Sequence, residues 1–126
     1  MKLSKQHHIA IIASDWEKTR EFYVEKLGFS LLREVYRPAQ DDYLRILRLG
    51  DTCLEVFIRP QAPLRPTDPE AMGLRHLAFH VEDVPAAARW LNSLGIDTEP
   101  IREDLANGGR FTFFQDPDGL PLEIHE

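Results

Sequence analysis

The chain has 126 residues and a mass of 14.6 kDa, which is enough for one domain of ordinary size. Hydrophobic residues make up 43% of the chain and charged residues 29%, a balance that argues against intrinsic disorder. Fifteen Lys and Arg residues against twenty-one Asp and Glu residues give a net charge of -6, which argues against nucleic acid and against a membrane surface as a partner.

Cysteine content and the N-terminal segment indicate a cytoplasmic protein. Cys53 is the single cysteine, so an internal disulfide and a CxxC redox pair are excluded. The apolar run Ile9 to Ala13 has only five residues, which is too short for a signal peptide or a membrane span.

The first half of the chain predicts a strand, a helix and three further strands. The Ile-rich segment His7 to Ala13 is typical of a strand. Ser14 with Glu17 three residues later has the spacing of a helix-capping box, and Gly28 marks a stop, so we expect a helix over residues 15–27. Three β-rich runs separated by turn-forming residues then follow: Phe29–Tyr36, Tyr43–Leu49 and Thr52–Ile58.

A proline-rich segment separates this half from the next. Four prolines between Arg59 and Gly73 exclude a regular helix or a central strand there. We therefore predict a stiff, extended linker.

The second half predicts the same order of elements. Asp83 is a candidate helix cap, Pro85 lies in the first helical turn, and Gly95 marks the stop. The predicted strands are Leu74–Val81, a strand near Ile96–Arg102, Arg110–Gln115 and Leu120–His125.

Residues also match directly between the halves at an offset of 68 positions. His8-Ile9-Ala10 falls on His76-Leu77-Ala78, and Leu54-Glu55-Val56 falls on Leu122-Glu123-Ile124. The prediction is an α+β fold with two βαβββ modules related by duplication. The expected boundaries are residues 1–58, linker 59–73 and residues 74–126, within a single domain of residues 1–126.

Strand alternation separates four chemically active side chains from the apolar ones. In residues 54–58 the aliphatic side chains share one face and Glu55 points to the other. Forty-seven residues separate each early His from its later Glu in both halves, and a twofold relation between the modules would bring all four together: His8, Glu55, His76 and Glu123. Two imidazoles and two carboxylates suit a divalent transition metal. His7 and His80 are predicted to be non-ligands.

The order of these motifs resembles the vicinal oxygen chelate superfamily, which includes glyoxalase I, bleomycin resistance proteins and extradiol dioxygenases. The resemblance rests on His8-Ile9-Ala10, Leu54-Glu55, the segment Gly73 to Phe79, and Asp116-Pro117-Asp118-Gly119 leading into Leu122-Glu123. It covers essentially the whole chain and is strongest to small bacterial glyoxalase I-like lyases.

The resemblance implies an open, half-barrel mixed sheet around a metal bound by His8, Glu55, His76 and Glu123. It implies Zn or Ni as the metal, with Co, Mn and Fe as alternatives, and a homodimer acting on a small-molecule substrate. It further implies lyase or isomerase chemistry by proton transfer through a metal-bound ene-diolate. Glu123 is the expected base, with Glu55 as the symmetric alternative.

One departure from glyoxalase I concerns the substrate. Ile12 and Arg59 stand where glyoxalase I has an Arg and an Asn that grip glutathione, which argues against a glutathione adduct. Three other arginines are candidate anion contacts: Arg33, Arg37 and Arg45. Other functions left open are non-catalytic binding of a drug or metabolite, thiol transfer and dioxygenation. Whether the site is completed within one chain or across a dimer also stays open.

Overall fold

The computed structural model describes residues 1–126. The chain divides into two compact units, Met1–Pro63 and Leu64–Glu126, so the division falls inside the predicted proline-rich linker. None of the helices is both long and apolar enough to cross a membrane.

The first unit is a four-stranded mixed sheet with one helical segment. Its strands lie in the order β1-β4-β3-β2, with β1 parallel to β4 and the other pairs antiparallel. The predicted βαβββ order is therefore confirmed in this unit. Its elements are β1 Ile9–Ala13, α1 Trp16–Arg20 with a π-helical continuation Glu21–Lys26, β2 Ser30–Arg37, β3 Asp42–Leu49 and β4 Thr52–Ile58.

The helical segment differs from the prediction at its start and in its middle. Asp15, not Ser14, is the N-cap, because Asp15 is the residue with extended backbone and its carboxylate accepts the N–H of Lys18 at 2.9 Å. The π-helical turn is closed by the N–H of Leu27, which donates to the carbonyl of Phe22 five residues earlier at 3.0 Å. The predicted single α-helix over residues 15–27 is therefore two kinds of helix.

The second unit repeats the arrangement. Its strand order is β5-β8-β7-β6, again with the first strand of the unit parallel to the last, so the duplicated fold is confirmed. Asp83 caps α2 as predicted, accepting the N–H of Ala86 at 2.9 Å. The elements are β5 Leu77–His80, α2 Val84–Ser93, β6 Arg102–Glu103, β7 Arg110–Gln115 and β8 Pro121–His125.

The strand predicted near Ile96–Arg102 is mostly absent, since only Arg102 and Glu103 pair with β7. The N–H of Ile96 is used by the helix end, where it donates to the carbonyl of Leu91 at 3.0 Å. Pro100 then lacks an N–H for a β ladder. The segment forms no regular strand, but Glu99 still bonds to β7: its N–H donates to the carbonyl of Phe113 at 2.9 Å, and its carbonyl accepts the hydroxyl of Thr112 at 2.7 Å.

The predicted aliphatic face is the buried face of each sheet. Leu54 and Val56 of β4 are buried, as are Leu122 and Ile124 of β8. Because side chains alternate along a strand, burial of these residues turns Glu55 and Glu123 to the opposite face.

Glu126 joins three elements of the second unit. Its carboxylate accepts the N–H of Val84, the first residue of α2, at 3.1 Å and the N–H of Arg110 in β7 at 2.9 Å. The Arg110 guanidinium also pairs with it at 2.5 Å. Arg110 first, and then the Val84 N–H, lower the pKa of Glu126 from 4.5 to about 2.

Replacing Glu126 by Gln is expected to lower the melting temperature by a few degrees near pH 7, because Arg110 and the start of α2 lose their shared charge. The pKa of Glu126 is lower in the folded protein than its ordinary value of 4.5. Its contribution to stability is therefore present above that value and is lost as pH falls towards 2. Thermal unfolding of wild type and Glu126→Gln across this pH range measures the effect.

The exposed Glu82, which makes no ion pair, provides the control variant Glu82→Gln. The difference in melting temperature between wild type and Glu126→Gln should shrink in acid. A difference that is constant with pH would contradict the role assigned to Glu126.

Candidate metal centre

The first unit places His8 beside Glu55. Parallel pairing of β1 with β4 sets Ala10 opposite Glu55, so these two residues point to the same face. His8 immediately precedes β1, and its Nε2 atom lies 3.5 Å from Oε2 of Glu55. The side chains are 39% and 18% exposed, respectively.

The second unit places His76 beside Glu123 at the equivalent register. Ala78 pairs with Glu123 as Ala10 pairs with Glu55. Nε2 of His76 lies 2.8 Å from Oε2 of Glu123, and the side chains are 26% and 10% exposed. The structure therefore contains the four predicted residues as two matching His–Glu pairs.

Neither unit by itself groups three or more His, Cys, Asp or Glu side chains in a way that would hold a metal ion. Each unit contains one imidazole nitrogen and one carboxylate of the predicted set. These are donors that zinc, nickel and related divalent ions accept.

The surroundings of the two carboxylates fit a cation. Neither Glu55 nor Glu123 makes a hydrogen bond or ion pair apart from the contact with its own histidine. Glu123 is buried, and a buried carboxylate is costly unless a positive charge or hydrogen-bond donors compensate it. A divalent cation at this carboxylate would supply that compensation.

Each histidine has a second neighbour that fixes its ring. Nδ1 of His7 lies 2.9 Å from Nδ1 of His8, which leaves Nε2 of His8 for Glu55. The Phe113 ring packs edge-on against His76, with the ring centres 5.0 Å apart. These contacts restrict the orientation of both imidazole rings.

The sequence pattern did not predict the contact of His7 with His8. Alternation along a strand would place the side chains of adjacent residues on opposite faces. β1 begins only at Ile9, so alternation does not govern the two histidines before it. His80 is the last residue of β5, four residues after His76, and is exposed. No contact in the structure tests the prediction that His80 is not a metal ligand.

The fifth histidine, His125, is held in a different way. Its Nε2 lies 2.9 Å from Asp104, and its Nδ1 contacts the carbonyl of Glu126. Asp104 is the main reason that the pKa of His125 is raised. Because both ring nitrogens are engaged, His125 holds the loop containing Asp104. No spacing pattern predicts this pair, since 21 residues separate its members.

The three arginines named as anion contacts do not share one face. Arg45 packs its guanidinium 4.4 Å from the Trp16 ring centre and pairs with Glu34, so it belongs to the face opposite Glu55. Arg33 and Arg37 lie on the same face as Glu55 by strand register.

Comparison with known families agrees with this architecture. Residues 5–124 match the family model described as the Glyoxalase/Bleomycin resistance protein/Dioxygenase superfamily. The chain belongs to this superfamily. Its members include metal-dependent enzymes and resistance proteins, and they typically bind a divalent metal and act on small molecules. The predicted family and fold are thus confirmed.

Similar proteins cover the full length of the chain. The uncharacterized protein YwkD of Bacillus subtilis is 53% identical, with 100% of this chain and 99% of that protein covered. The crystal structure of a glyoxalase family protein from Enterococcus faecalis is 54% identical, with a TM-score of 0.92 and 100% of both chains covered. A 2-epi-5-epi-valiolone epimerase from an Actinomyces species is 32% identical, over 94% of this chain and 76% of that protein.

Proposed function

We propose that the two His–Glu pairs bind one divalent metal ion and that the protein is a metal-dependent enzyme. The proposed reaction is proton transfer, of the lyase or isomerase type, on a small substrate that presents adjacent oxygen atoms. The observation that carries the proposal is the repetition of the same His–Glu contact at the same strand register in both units.

The proposed ligands are His8, Glu55, His76 and Glu123. Zn or Ni is the first choice of metal, and Co, Mn and Fe have compatible ligand preferences. When bound, the metal polarises substrate oxygen atoms and so makes a neighbouring carbon-bound proton more acidic.

Glu123 is the proposed general base. Its side chain is the less exposed of the two glutamates, so water competes less for its carboxylate. His76 contacts one carboxylate oxygen, and Phe113 holds the His76 ring, which fixes the carboxylate in position. Glu55 has the same placement in the first unit and is the alternative base.

The family comparison supports proton transfer as the reaction type. The relative from an Actinomyces species is named as an epimerase, and an epimerase inverts one stereocentre. Removing a proton from carbon and returning it to the other side is one route to inversion, and it needs a positioned base.

Replacing His76 by Ala is expected to lower metal affinity by orders of magnitude, because one proposed ligand is lost. His80→Ala is the matched control, since His80 lies four residues after His76, at the end of β5. Metal content of both variants after dialysis, measured by elemental analysis, checks this. Equal metal content in the two variants would remove His76 from the ligand set.

Replacing Glu123 by Gln is expected to reduce turnover by about 10²- to 10⁴-fold, the usual contribution of a general base. The assay follows exchange of a carbon-bound proton with deuterated solvent in methylglyoxal adducts of several thiols and in small hydroxyketones. Circular dichroism checks the fold, and assays with excess metal separate loss of the base from loss of metal.

Glu55→Gln is the control for this assignment. Full turnover in Glu123→Gln together with loss in Glu55→Gln would move the base to Glu55. Tight binding of such compounds by the wild type with no proton exchange would contradict catalysis and favour a binding protein.

A further inference from the structure

The face of the first sheet that carries Glu55 is organised in rows across the strands. One row contains Glu55 with Ala10, Ile46 and Arg33, as the strand pairing shows. The next row towards the end of β4 is apolar, and strand register assigns it Ile12, Phe57, Leu44 and Val35.

Beyond the apolar row lies a cluster of two arginines and one aspartate. Nε and Nη2 of Arg37 donate to the two carboxylate oxygens of Asp42, both at 2.7 Å. Nη2 of Arg59 lies 2.8 Å from the same carboxylate. The backbone N–H of Arg59 donates to the carbonyl of Ala13 at 2.8 Å, so Arg59 continues the line of β4.

This cluster carries an excess positive charge. Arg37 first, and then Arg59, keep the pKa of Asp42 below its ordinary value, so the group has two cations and one anion. The Asp42 side chain is only 14% exposed, and both its oxygens are occupied. An incoming anion therefore meets guanidinium N–H groups instead of the aspartate.

Both guanidinium groups have N–H donors that no protein group accepts. Nη1 of Arg37 and Nε of Arg59 have no protein partner, while Nη1 of Arg59 donates to the carbonyl of Ile58. The Phe57 ring lies under both groups, with its centre 4.9 Å from Cζ of Arg37 and 5.9 Å from Cζ of Arg59. Asp42 and Phe57 thus hold two cations in place before any ligand arrives, which reduces the entropy lost on binding.

We propose that Arg37 and Arg59 bind a carboxylate or phosphate group of the substrate. The inference rests on the proposed function, in which the oxygen-bearing end of the substrate binds at the row that contains Glu55. The substrate class is then a small anionic compound in which an uncharged segment separates the reacting end from the acid group. That segment lies over the apolar row.

The spacing is suited to such a molecule. Four residues along one strand separate Glu55 from Arg59, or about 13 Å between their Cα atoms. One molecule of moderate length therefore reaches both rows.

The test is titration of the full chain with inorganic phosphate and, separately, with acetate at constant ionic strength. Binding is followed by NMR through the arginine Nε–H signals. Saturable shifts are expected for Arg37 and Arg59, with affinity reduced roughly tenfold or more in Arg59→Gln, since a charge-assisted hydrogen bond is lost. The same loss is expected in Arg37→Gln.

Arg33→Gln is the matched control. Arg33 lies on the same face, in the Glu55 row, and makes no ion pair, so its replacement removes equal charge without touching the cluster. Unchanged affinity in this variant supports the proposal. Equal losses in Arg33→Gln and Arg59→Gln would show general charge attraction and would overturn it.

A final comparison separates this inference from the metal proposal. Phosphate binding retained in a Glu55→Gln, Glu123→Gln double variant places the anion at the arginines, whatever the metal content. Binding lost in that variant but retained in Arg59→Gln would place the anion elsewhere and overturn the inference. Tighter binding of phosphate than of acetate assigns a phosphorylated substrate, and the reverse order assigns a carboxylic acid.

Discussion

Parallel pairing between the first and last strands of each unit is the constraint on which the site depends. In an antiparallel sheet built only of hairpins, the first strand would not lie beside the last. Here β1 lies beside β4 and β5 lies beside β8. Residues far apart in sequence therefore become neighbours, and a His before the first strand meets a Glu within the last one. A shift of register by one residue would turn the Glu to the buried face.

Burial of the other face keeps this register fixed. Leu54 and Val56 in the first unit, and Leu122 and Ile124 in the second, are buried. Fully burying one such side chain contributes about 1.5–3 kcal/mol, so a register that exposed them would be strongly disfavoured. The apolar residues thus hold the glutamates on the opposite face, although they take no part in the chemistry.

The two units use the shared framework differently. On the face of Glu55, the first unit has an apolar row and then a pair of arginines held by Asp42. On the face of Glu123, the second unit has aromatic side chains, with Phe113 against His76 and Phe111 stacked on His125. The duplicated His–Glu pair is the common part, and these neighbours are where the units have diverged.

Repetition made much of the fold predictable from sequence. Equal spacing of His8 to Glu55 and of His76 to Glu123 indicated two equivalent modules, and both sheets confirm them. The alternation of Leu54, Glu55 and Val56 predicted which side chains are buried. Strands with strong β patterns, such as Thr52–Ile58 and Arg110–Gln115, match their predicted bounds.

The structural features that could not be predicted depend on contacts between residues that no local sequence pattern indicates. Ser14 and Asp15 are both good caps, and only the backbone conformation selects Asp15. The segment after Ile96 has β-forming residues, but the end of α2 and Pro100 take it out of the sheet. Arg45 and Arg37 are both predicted anion contacts, although the strand position of Arg45 turns its side chain towards Trp16. Predicting that difference required the register between β2 and β3, which sequence patterns alone did not specify.

The most direct test of the account is the number of metal ions per chain, measured by elemental analysis in wild type and in the separate variants Glu55→Gln and Glu123→Gln. If the two His–Glu pairs serve one ion, wild type holds about one divalent metal per chain, and loss of either glutamate greatly weakens binding. Two metals per chain, with each variant losing only one, would show that the pairs act separately. No metal in wild type after reconstitution would contradict the metal centre altogether.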